Sequence, residues 1–327
     1  MKRGRRQQKK IAAILLLAGF FCSLPGLEPA SAAGAAPAFA TKVPVLCYHH
    51  LVDDLGHRWE LNNSVVTIAE FAAQMAYLEK EGYYPVTLDE FSAFLGGKIK
   101  LPAKSVLITF DDGYASNYWY AYPILKRHKM KAVVFVLGSM VRSDEAPTVA
   151  SAVTEKDGEG SDVAEAQVVE VNKVVELEPD FSGPFAGLLP PPGYDNLVLD
   201  FMTWGQLDEL TQSGVITLAD HTWAAHSQRD GYLPAYQKMP KAKIVEDRQL
   251  LRAEFARRRL PLANAFAYPH GYHAKAAREA VAASGVRLAF TLKRALAAPG
   301  CDPLRVPRLV VPPGLKDEDF ARLLQGL

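Results

Sequence analysis

The stretch Ser105-Val106-Leu107-Ile108-Thr109-Phe110-Asp111-Asp112-Gly113 joins an apolar run to two adjacent carboxylates and a glycine. The run predicts a β-strand that ends at Phe110. Since successive strand residues point to opposite faces, Asp111 and Asp112 can serve one site only where the chain leaves the regular strand. Gly113 supplies the backbone freedom for that turn. One carboxylate could then bind a metal ion while the other accepts a proton; the alternative is an ordinary surface turn.

Similar short runs of β-branched and apolar residues recur along the chain and alternate with longer segments of helical pattern. This alternation is typical of βα units around a parallel sheet. Several runs lead directly into polar residues, and polar groups gathered at strand ends indicate the catalytic face of a barrel. The seven predicted strands are Val43–Tyr48, Ser105–Phe110, Ala132–Leu137, Val215–Ala219, Ala265–Tyr268, Leu288–Thr291 and Leu309–Val311.

Helices are predicted between these strands, with connection lengths that suit the right-handed crossovers of a parallel sheet. Most of the helical segments end near a glycine or a basic residue, as helix C-termini commonly do. The predicted helices are Ile68–Glu81, Asn117–His128, Trp204–Ser213, Lys243–Arg259 and Ala274–Ser284.

The N-terminus has the layout of a secretory signal, in which a basic start precedes an apolar run from Ile11 to Phe21. We expect residues 1–32 to be a signal peptide and residues 33–42 a linker, although Ala40 ends a second candidate cleavage site. The alternative is a retained anchor, but the run is shorter than the ~20 residues of a membrane-spanning helix. The signal predicts a secreted or cell-surface protein.

Composition narrows the possible partners. Removal of residues 1–32 takes away six basic residues and one acidic residue, so the formal net charge changes from +1 to −4. A mildly acidic protein is not expected to bind nucleic acid. The remaining Cys47 and Cys301 could form one disulfide, but the apolar neighbours of Cys47 favour a buried thiol.

The segment at about 143–200 interrupts the alternation of strands and helices. Between residues 144 and 180 it carries eleven acidic residues against two lysines. This composition predicts a solvated insertion within a domain that spans residues 43–327. A segment of this length without periodicity is either a functional lid or partly disordered, and the sequence leaves both readings open.

A second polar group follows the predicted strand Val215–Ala219. Asp220-His221-Thr222-Trp223-Ala224-Ala225-His226 places two imidazoles five residues apart. A helix would favour a spacing of three or four, so a spacing of five indicates a loop. Two neutral imidazoles and one carboxylate make a metal-ligand set that leaves positions open for water and substrate. The pair alone could equally be two ordinary surface histidines.

The third cluster is Phe266-Ala267-Tyr268-Pro269-His270-Gly271-Tyr272, at the end of another predicted strand. Proline fixes the chain there, glycine turns it, and the aromatic groups could wall a sugar pocket. The alternative is a plain turn at Pro269 and Gly271.

Together these motifs resemble the polysaccharide deacetylases of the NodB-homology type, carbohydrate esterase family four, from about Val43 to the C-terminus. The five-residue histidine spacing, the opening Leu46-Cys47-Tyr48-His49-His50 and the third cluster are similar to the exported poly-β-1,6-N-acetylglucosamine deacetylases. The resemblance implies an α/β fold, a distorted (β/α)7 TIM-like barrel, which agrees with the seven predicted strands.

The resemblance also implies the roles of the charged residues. Asp111 corresponds to the general base, and Asp112, His221 and His226 correspond to the ligands of a divalent metal ion. This ligand set favours Zn²⁺, with Co²⁺ or Ni²⁺ as alternatives. Asp111 would deprotonate water, and a histidine would protonate the leaving amine.

The chain departs from the family pattern at several positions. His270 replaces the tyrosine of the usual Pro-Tyr-Gly, Asp220 stands where serine is common, and no arginine precedes Tyr268 to orient the base. The usual C-terminal Leu-x-x-His is absent, so the general acid is unassigned. His49, His50 and His270 are the candidates.

The implied activity is removal of N-acetyl groups from an extracellular polysaccharide that contains N-acetylglucosamine. We expect substrate contacts from Tyr114, Tyr268, Pro269 and Tyr272, with a backbone N–H near Tyr114 facing the oxyanion. The expected partner is the amino-sugar polysaccharide itself. We expect a monomer, and association with a membrane or cell wall is left open.

Other activities fit the same motifs. The site could remove N-acetyl groups from peptidoglycan or chitin, or O-acetyl groups from xylan. The alternative from another class is a non-catalytic protein that keeps the fold and binds glycan without turnover.

Overall fold

The computed structural model describes residues 39–53, 64–144, 201–226 and 235–327. The predicted signal peptide, most of the linker and residues 145–200 of the predicted insertion lie outside these ranges. No helix within them combines the length and apolar character that crossing a membrane requires.

The described residues form an eight-stranded sheet and a separate two-stranded sheet, and all of the strand pairings are parallel. The seven predicted strands are all present, with ends that differ by two residues or fewer. The strands are β1 Val45–Tyr48, β2 His50–Val52, β3 Val65–Thr67, β4 Tyr84–Pro85, β5 Ser105–Phe110, β6 Ala132–Val136, β7 Ile216–Asp220, β8 Ala265–Ala267, β9 Leu288–Phe290 and β10 Leu309–Val310.

The large sheet runs in the order β10-β1-β5-β6-β7-β8-β9, with β4 paired to β5. The segment before β10 continues the sheet beyond β9. Val306 donates its N–H to Ala289 O at 2.9 Å, and Thr291 donates to Val306 O at 2.8 Å. Because β10 then pairs with β1, the sheet curls into a distorted barrel. The expected α/β barrel fold is confirmed.

The α-helices are α1 Ile68–Lys80, α2 Leu88–Leu95, α3 Tyr122–Arg127, α4 Trp204–Gln212, α5 Ala235–Lys238, α6 Lys241–Arg257, α7 Lys275–Ala283 and α8 Asp317–Leu324. The five predicted helices are present, and α2, α5 and α8 are additional. Capping boxes begin α1, α2 and α4, where a threonine and a Glu or Gln three residues later satisfy each other's backbone N–H groups. The predicted helix at 117–128 divides into a π-helical turn, Asn117–Ala121, and α3.

Strand residues alternate between the barrel interior and the layer under the helices. In β5, Leu107 packs with the interior cluster, whereas Val106, Ile108 and Phe110 pack with residues of the surrounding helices. The same alternation continues past the strand ends, so Asp111 lies on the interior face. The interior cluster includes Val45, Leu107, Val133, Ala219, Ala265, Ala267, Leu288, Phe290 and four residues of α2.

Candidate metal centre and catalytic residues

The carboxyl ends of β5 and β7 bring one carboxylate and two imidazoles together. Oδ1 of Asp112 lies 3.3 Å from Nε2 of His221 and 3.6 Å from Nε2 of His226. The three candidate ligand atoms all lie within 4.8 Å of one another. Two nitrogens and one carboxylate oxygen around a common point form a donor set suited to a divalent ion.

Asp112 reaches this point because the chain turns sharply after β5. Asp112 has φ 74° and Gly113 has φ 84°, so two consecutive residues take the left-handed conformation. The turn was expected at the glycine; the structure also places the aspartate in it. A non-glycine residue there costs on the order of 1–3 kcal/mol, which surrounding contacts must offset.

The orientation of His221 fits metal ligation. Its Nδ1 lies 2.8 Å from the carbonyl oxygen of Ala267. A carbonyl can only accept a hydrogen bond, so Nδ1 carries a proton, and Nε2, which faces Asp112, is the nitrogen that could bind an ion. Burial would lower the pKa of His221, but Asp111 and Asp112 raise it, so an ion at Nε2 would have to displace a proton. Oδ1 of Asp112 is buried and receives no well-formed hydrogen bond from the described residues. A cation between these atoms would satisfy the carboxylate oxygen.

Burial and nearby charges shift the pKa values of the candidate ligands Asp112 and His226. Burial would raise the pKa of Asp112, but the neighbouring His221 and His49 lower it to about 2. Burial and the adjacent His221 lower the pKa of His226 to about 4. Asp112 is therefore ionised and His226 neutral at pH 7, which are the forms that coordinate a metal.

The candidate base, Asp111, is held by an arginine from the far end of the chain. Nη1 of Arg308 donates to Oδ1 at 2.7 Å, and Nη2 donates to Oδ2 at 2.6 Å, with both side chains buried. Burial would raise the pKa of Asp111, but the guanidinium overrides it and holds the pKa well below its ordinary value. Nε of Arg308 donates to Thr291 O at 3.1 Å, which fixes the guanidinium plane.

Sequence reasoning missed Arg308. The family pattern directed attention to the residues before Tyr268, where this chain has no arginine. The available signal was a charged residue inside the apolar run 306–311. By two-residue alternation from the interior residue Val306, its side chain points into the barrel.

A second trio, Cys47, His49 and Asp111, also has its candidate ligand atoms within 4.8 Å of one another. Both oxygens of Asp111 are bonded to Arg308, so a cation in this trio would face the guanidinium. The first trio is therefore the better ion site. Cys47 is buried and free, as the sequence predicted, and Cys301 is free as well.

The three histidines considered as general acids lie in different surroundings. His49 is partly exposed, and its Nε2 lies 3.9 Å from Oδ2 of Asp111. His50 is buried with Nδ1 2.8 Å from Ser116 Oγ, and burial lowers the pKa of His50 to about 4. His270 packs its ring against His226, with 4.4 Å between ring centroids.

The four residues expected to contact substrate differ in their exposure to solvent. Tyr114 is half-buried and stacks on Phe201 at 5.0 Å between centroids, and Tyr272 is 36% exposed. Pro269 is buried. The expectation for Tyr268 is corrected: its ring is 0% exposed in the core, and its hydroxyl donates to Leu304 O at 3.1 Å. Alternation along β8 sends Tyr268 outward with Phe266, away from the site.

The chain is similar to known proteins in sequence and in fold. A family model described as Polysaccharide deacetylase matches residues 98–289. The putative polysaccharide deacetylase YxkH of Bacillus subtilis is 41% identical over 100 residues, which are 31% of this chain and 33% of the relative. The poly-β-1,6-N-acetyl-D-glucosamine N-deacetylase of Escherichia coli K12 is 27% identical over 298 residues, which are 85% of this chain. The chain spans only 38% of that relative's length.

A solved structure of IcaB from Ammonifex degensii matches with a TM-score of 0.62 and 24% sequence identity. The match covers 88% of this chain and 97% of the IcaB chain. The Streptococcus pyogenes deacetylase PplD, solved with acetate, has a TM-score of 0.61 and 20% identity, with 87% and 99% coverage. At these identities the likeness concerns the fold. Because the family model matches more than half of the sequence, the chain belongs to the polysaccharide deacetylase family.

Proposed function

We propose that this protein is a divalent-metal-dependent N-deacetylase of an extracellular polymer that contains N-acetylglucosamine. One observation carries the proposal: Asp112, His221 and His226 converge beside the buried ion pair of Asp111 and Arg308. This arrangement offers an ion site and a fixed carboxylate base at the same strand ends. Hydrolysis of an amide needs both an activated water and a stabilised oxyanion.

The three ligands would hold Zn²⁺, or Co²⁺ or Ni²⁺ where these are more available. When bound, the ion would polarise the amide carbonyl and lower the pKa of water. The protein's part is to present two imidazoles and one ionised carboxylate in a largely buried setting.

Asp111 is proposed to accept the proton of the attacking water. Arg308 supports that role because its two hydrogen bonds keep the carboxylate ionised and fix its plane. A fixed base needs no reorganisation at the moment of proton transfer. The backbone N–H near Tyr114 is proposed to face the oxyanion.

His49 is the proposed proton donor to the leaving amine. It is the candidate histidine that adjoins Asp111 and is partly exposed. His50 is buried against Ser116 and Tyr114, and His270 contacts His226 rather than the base. These positions favour His49 for proton transfer and His270 for a place in the wall of the site.

Poly-β-1,6-N-acetylglucosamine is the proposed polymer. Relatives from Escherichia coli and Staphylococcus epidermidis whose names specify this substrate align with 85% and 77% of the chain. Tyr114, Tyr272 and Pro269 are the proposed sugar contacts. We also propose export through the N-terminal signal, which would place the enzyme on the same side of the membrane as its polymer.

The test is acetate release by the metal-loaded full chain from β-1,6-linked N-acetylglucosamine oligomers, chitin oligomers, peptidoglycan and acetylated xylan. The proposal predicts the highest kcat/KM on the β-1,6-linked oligomer. A higher value on another polymer would reassign the substrate, and glycan binding without acetate release from any of the four would identify a non-catalytic protein. N-terminal sequencing of exported protein would test cleavage after Ala32.

A further inference from the structure

The loop of residues 221–226, termed here the histidine loop, is contacted by Asp247 of α6. The next residue of α6, Arg248, binds Asp220, which immediately precedes the loop. We propose that Asp247 and Arg248 are positioning residues that hold the histidine loop in the conformation in which its two imidazoles face Asp112. This inference rests on the proposed metal-dependent function. In this proposal both residues act through the loop and not directly on the substrate.

Arg248 forms a buried ion pair at the point where the loop begins. Its Nε donates to Oδ2 of Asp220 at 2.9 Å, and Nη2 lies 2.8 Å from the same oxygen. The two residues are 1% and 0% exposed. Asp220 ends β7 on the helix-facing side, so alternation directs His221 into the barrel. The pair therefore fixes the strand end from which His221 projects.

The other oxygen of Asp220 extends this control into the loop. Oδ1 accepts the backbone N–H of Thr222 at 2.9 Å. Thr222 has φ 86°, a left-handed conformation that is a genuine outlier for a β-branched residue. Such a backbone persists only where its surroundings over-determine it. Asp220, held by Arg248, supplies one of those constraints.

Asp247 accepts two further N–H groups from the middle of the loop. Its Oδ2 receives the N–H of Trp223 at 2.7 Å, and its Oδ1 receives the N–H of Ala224 at 2.9 Å. The five-residue spacing of the ligands requires a loop, whose N–H groups have no helical partners. The carboxylate of Asp247 replaces those missing partners.

The opposite side of the loop rests on the 3₁₀ turn Gly138–Met140 that follows β6. Gly138 donates its N–H to Thr222 O at 3.1 Å, and Ser139 donates to Trp223 O at 2.8 Å. A Cβ on Gly138 would lie 2.4 Å from the Trp223 ring, so only glycine allows this close approach. The loop is thus held between this turn and α6. Loss of the α6 contacts would free one side while the sheet stays intact.

The experiment compares Zn²⁺ affinity, by competition with a chromophoric chelator, in the chelator-stripped full chain and its variants. The variants are Asp247→Asn and Arg248→Met, and the matched control is Glu246→Gln, an exposed neighbour on α6 that pairs with Lys243. We expect Kd for Zn²⁺ to rise by at least about tenfold in both variants, because loss of a residue that orients metal ligands typically weakens metal affinity by about that factor or more. The control should match the wild type. Visible absorption of the Co²⁺ forms should change in the variants and not in the control.

Circular dichroism of each metal-free protein establishes folding. Should Arg248→Met not fold, Asp247→Asn decides alone, because it leaves the Arg248–Asp220 pair in place. Folded variants with wild-type Zn²⁺ affinity and an unchanged Co²⁺ spectrum would overturn the positioning role and leave the proposed function intact. A wild-type chain that binds neither ion would instead overturn the proposed metal site itself.

Discussion

The guanidinium of Arg308 meets both carboxylate oxygens of Asp111, at 2.7 and 2.6 Å, inside the barrel. The two residues are 197 positions apart in the chain, so the residue that immediately precedes the last strand, β10, completes a site that begins at β5. Because this geometry is bidentate and buried, it fixes the carboxylate in both position and charge.

Arg308→Met should lower kcat by on the order of 100-fold, since displacement of a catalytic group by about 1 Å has that effect. The pKa of Asp111 should rise without its cation, so the acidic limb of the pH–rate profile should move to higher pH. Arg308→Lys keeps the charge but not the two parallel hydrogen bonds, so its kcat should lie between those of the wild type and Arg308→Met. An unshifted acidic limb in Arg308→Met would contradict this assignment.

The same pair should make stability depend on pH. The folded-state pKa of Asp111 lies below its ordinary value. The stabilisation is therefore fully present above the ordinary aspartate pKa and is lost as pH falls through the depressed folded-state value. Urea unfolding of the metal-free chain from pH 7 downward measures the slope of the free energy of unfolding against pH. Asp111→Asn should flatten it, and an equal slope in both proteins would count against the pairing.

His221→Ala and His226→Ala should each lose the bound ion and activity while the barrel stays folded, because each removes one of three ligands. His128→Ala is the matched control, since His128 is the C-cap of α3 and its Nδ1 lies 2.8 Å from Oε2 of Glu79. Metal analysis after gel filtration reads the outcome. Stoichiometric metal in either ligand variant would refute the assignment.

The two adjacent carboxylates should respond differently to the same change. Asp111→Asn keeps the shape but cannot accept a proton, so metal should remain while turnover collapses. Asp112→Asn should lose metal affinity because a neutral amide replaces an ionised ligand. If the first variant lost metal and the second kept it, the two roles would have to be exchanged.

Removal of the proton donor should leave the ion in place. His49→Ala is expected to lower kcat by about 10²–10⁴, the usual contribution of acid–base catalysis, with Zn²⁺ affinity unchanged. His270→Ala should instead weaken Zn²⁺ binding, since the His270 ring supports His226. The reverse pattern would transfer the donor role to His270.

The barrel could be predicted because its strands are short apolar runs that end in polar residues. Helix α2 was missed, although Thr87 and Glu90 form a readable capping box before an apolar segment. Tyr268 was assigned to the sugar pocket because of its motif. Alternation from Ala267, which packs inside the barrel, would have sent Tyr268 outward.

The sequence could indicate the three candidate metal ligands because all of them lie within short motifs at strand ends. The residues that hold Asp111 and the histidine loop could not be predicted from the sequence. Arg308, Asp247 and Arg248 come from other elements and reach the site only in the folded chain. Arg308 left a faint signal as a charged residue within the apolar run 306–311. Asp247 and Arg248 left none, because a charged pair on a helix is ordinarily a solvated face.

Acetate release from a β-1,6-linked N-acetylglucosamine oligomer, followed as Zn²⁺ is returned to the chelator-stripped full chain, tests the central claim most directly. The account predicts no turnover without the ion, full activity at one ion per chain, and no recovery in Asp112→Asn at the same Zn²⁺ concentration. Turnover by the metal-free chain, or equal recovery in Asp112→Asn, would contradict it.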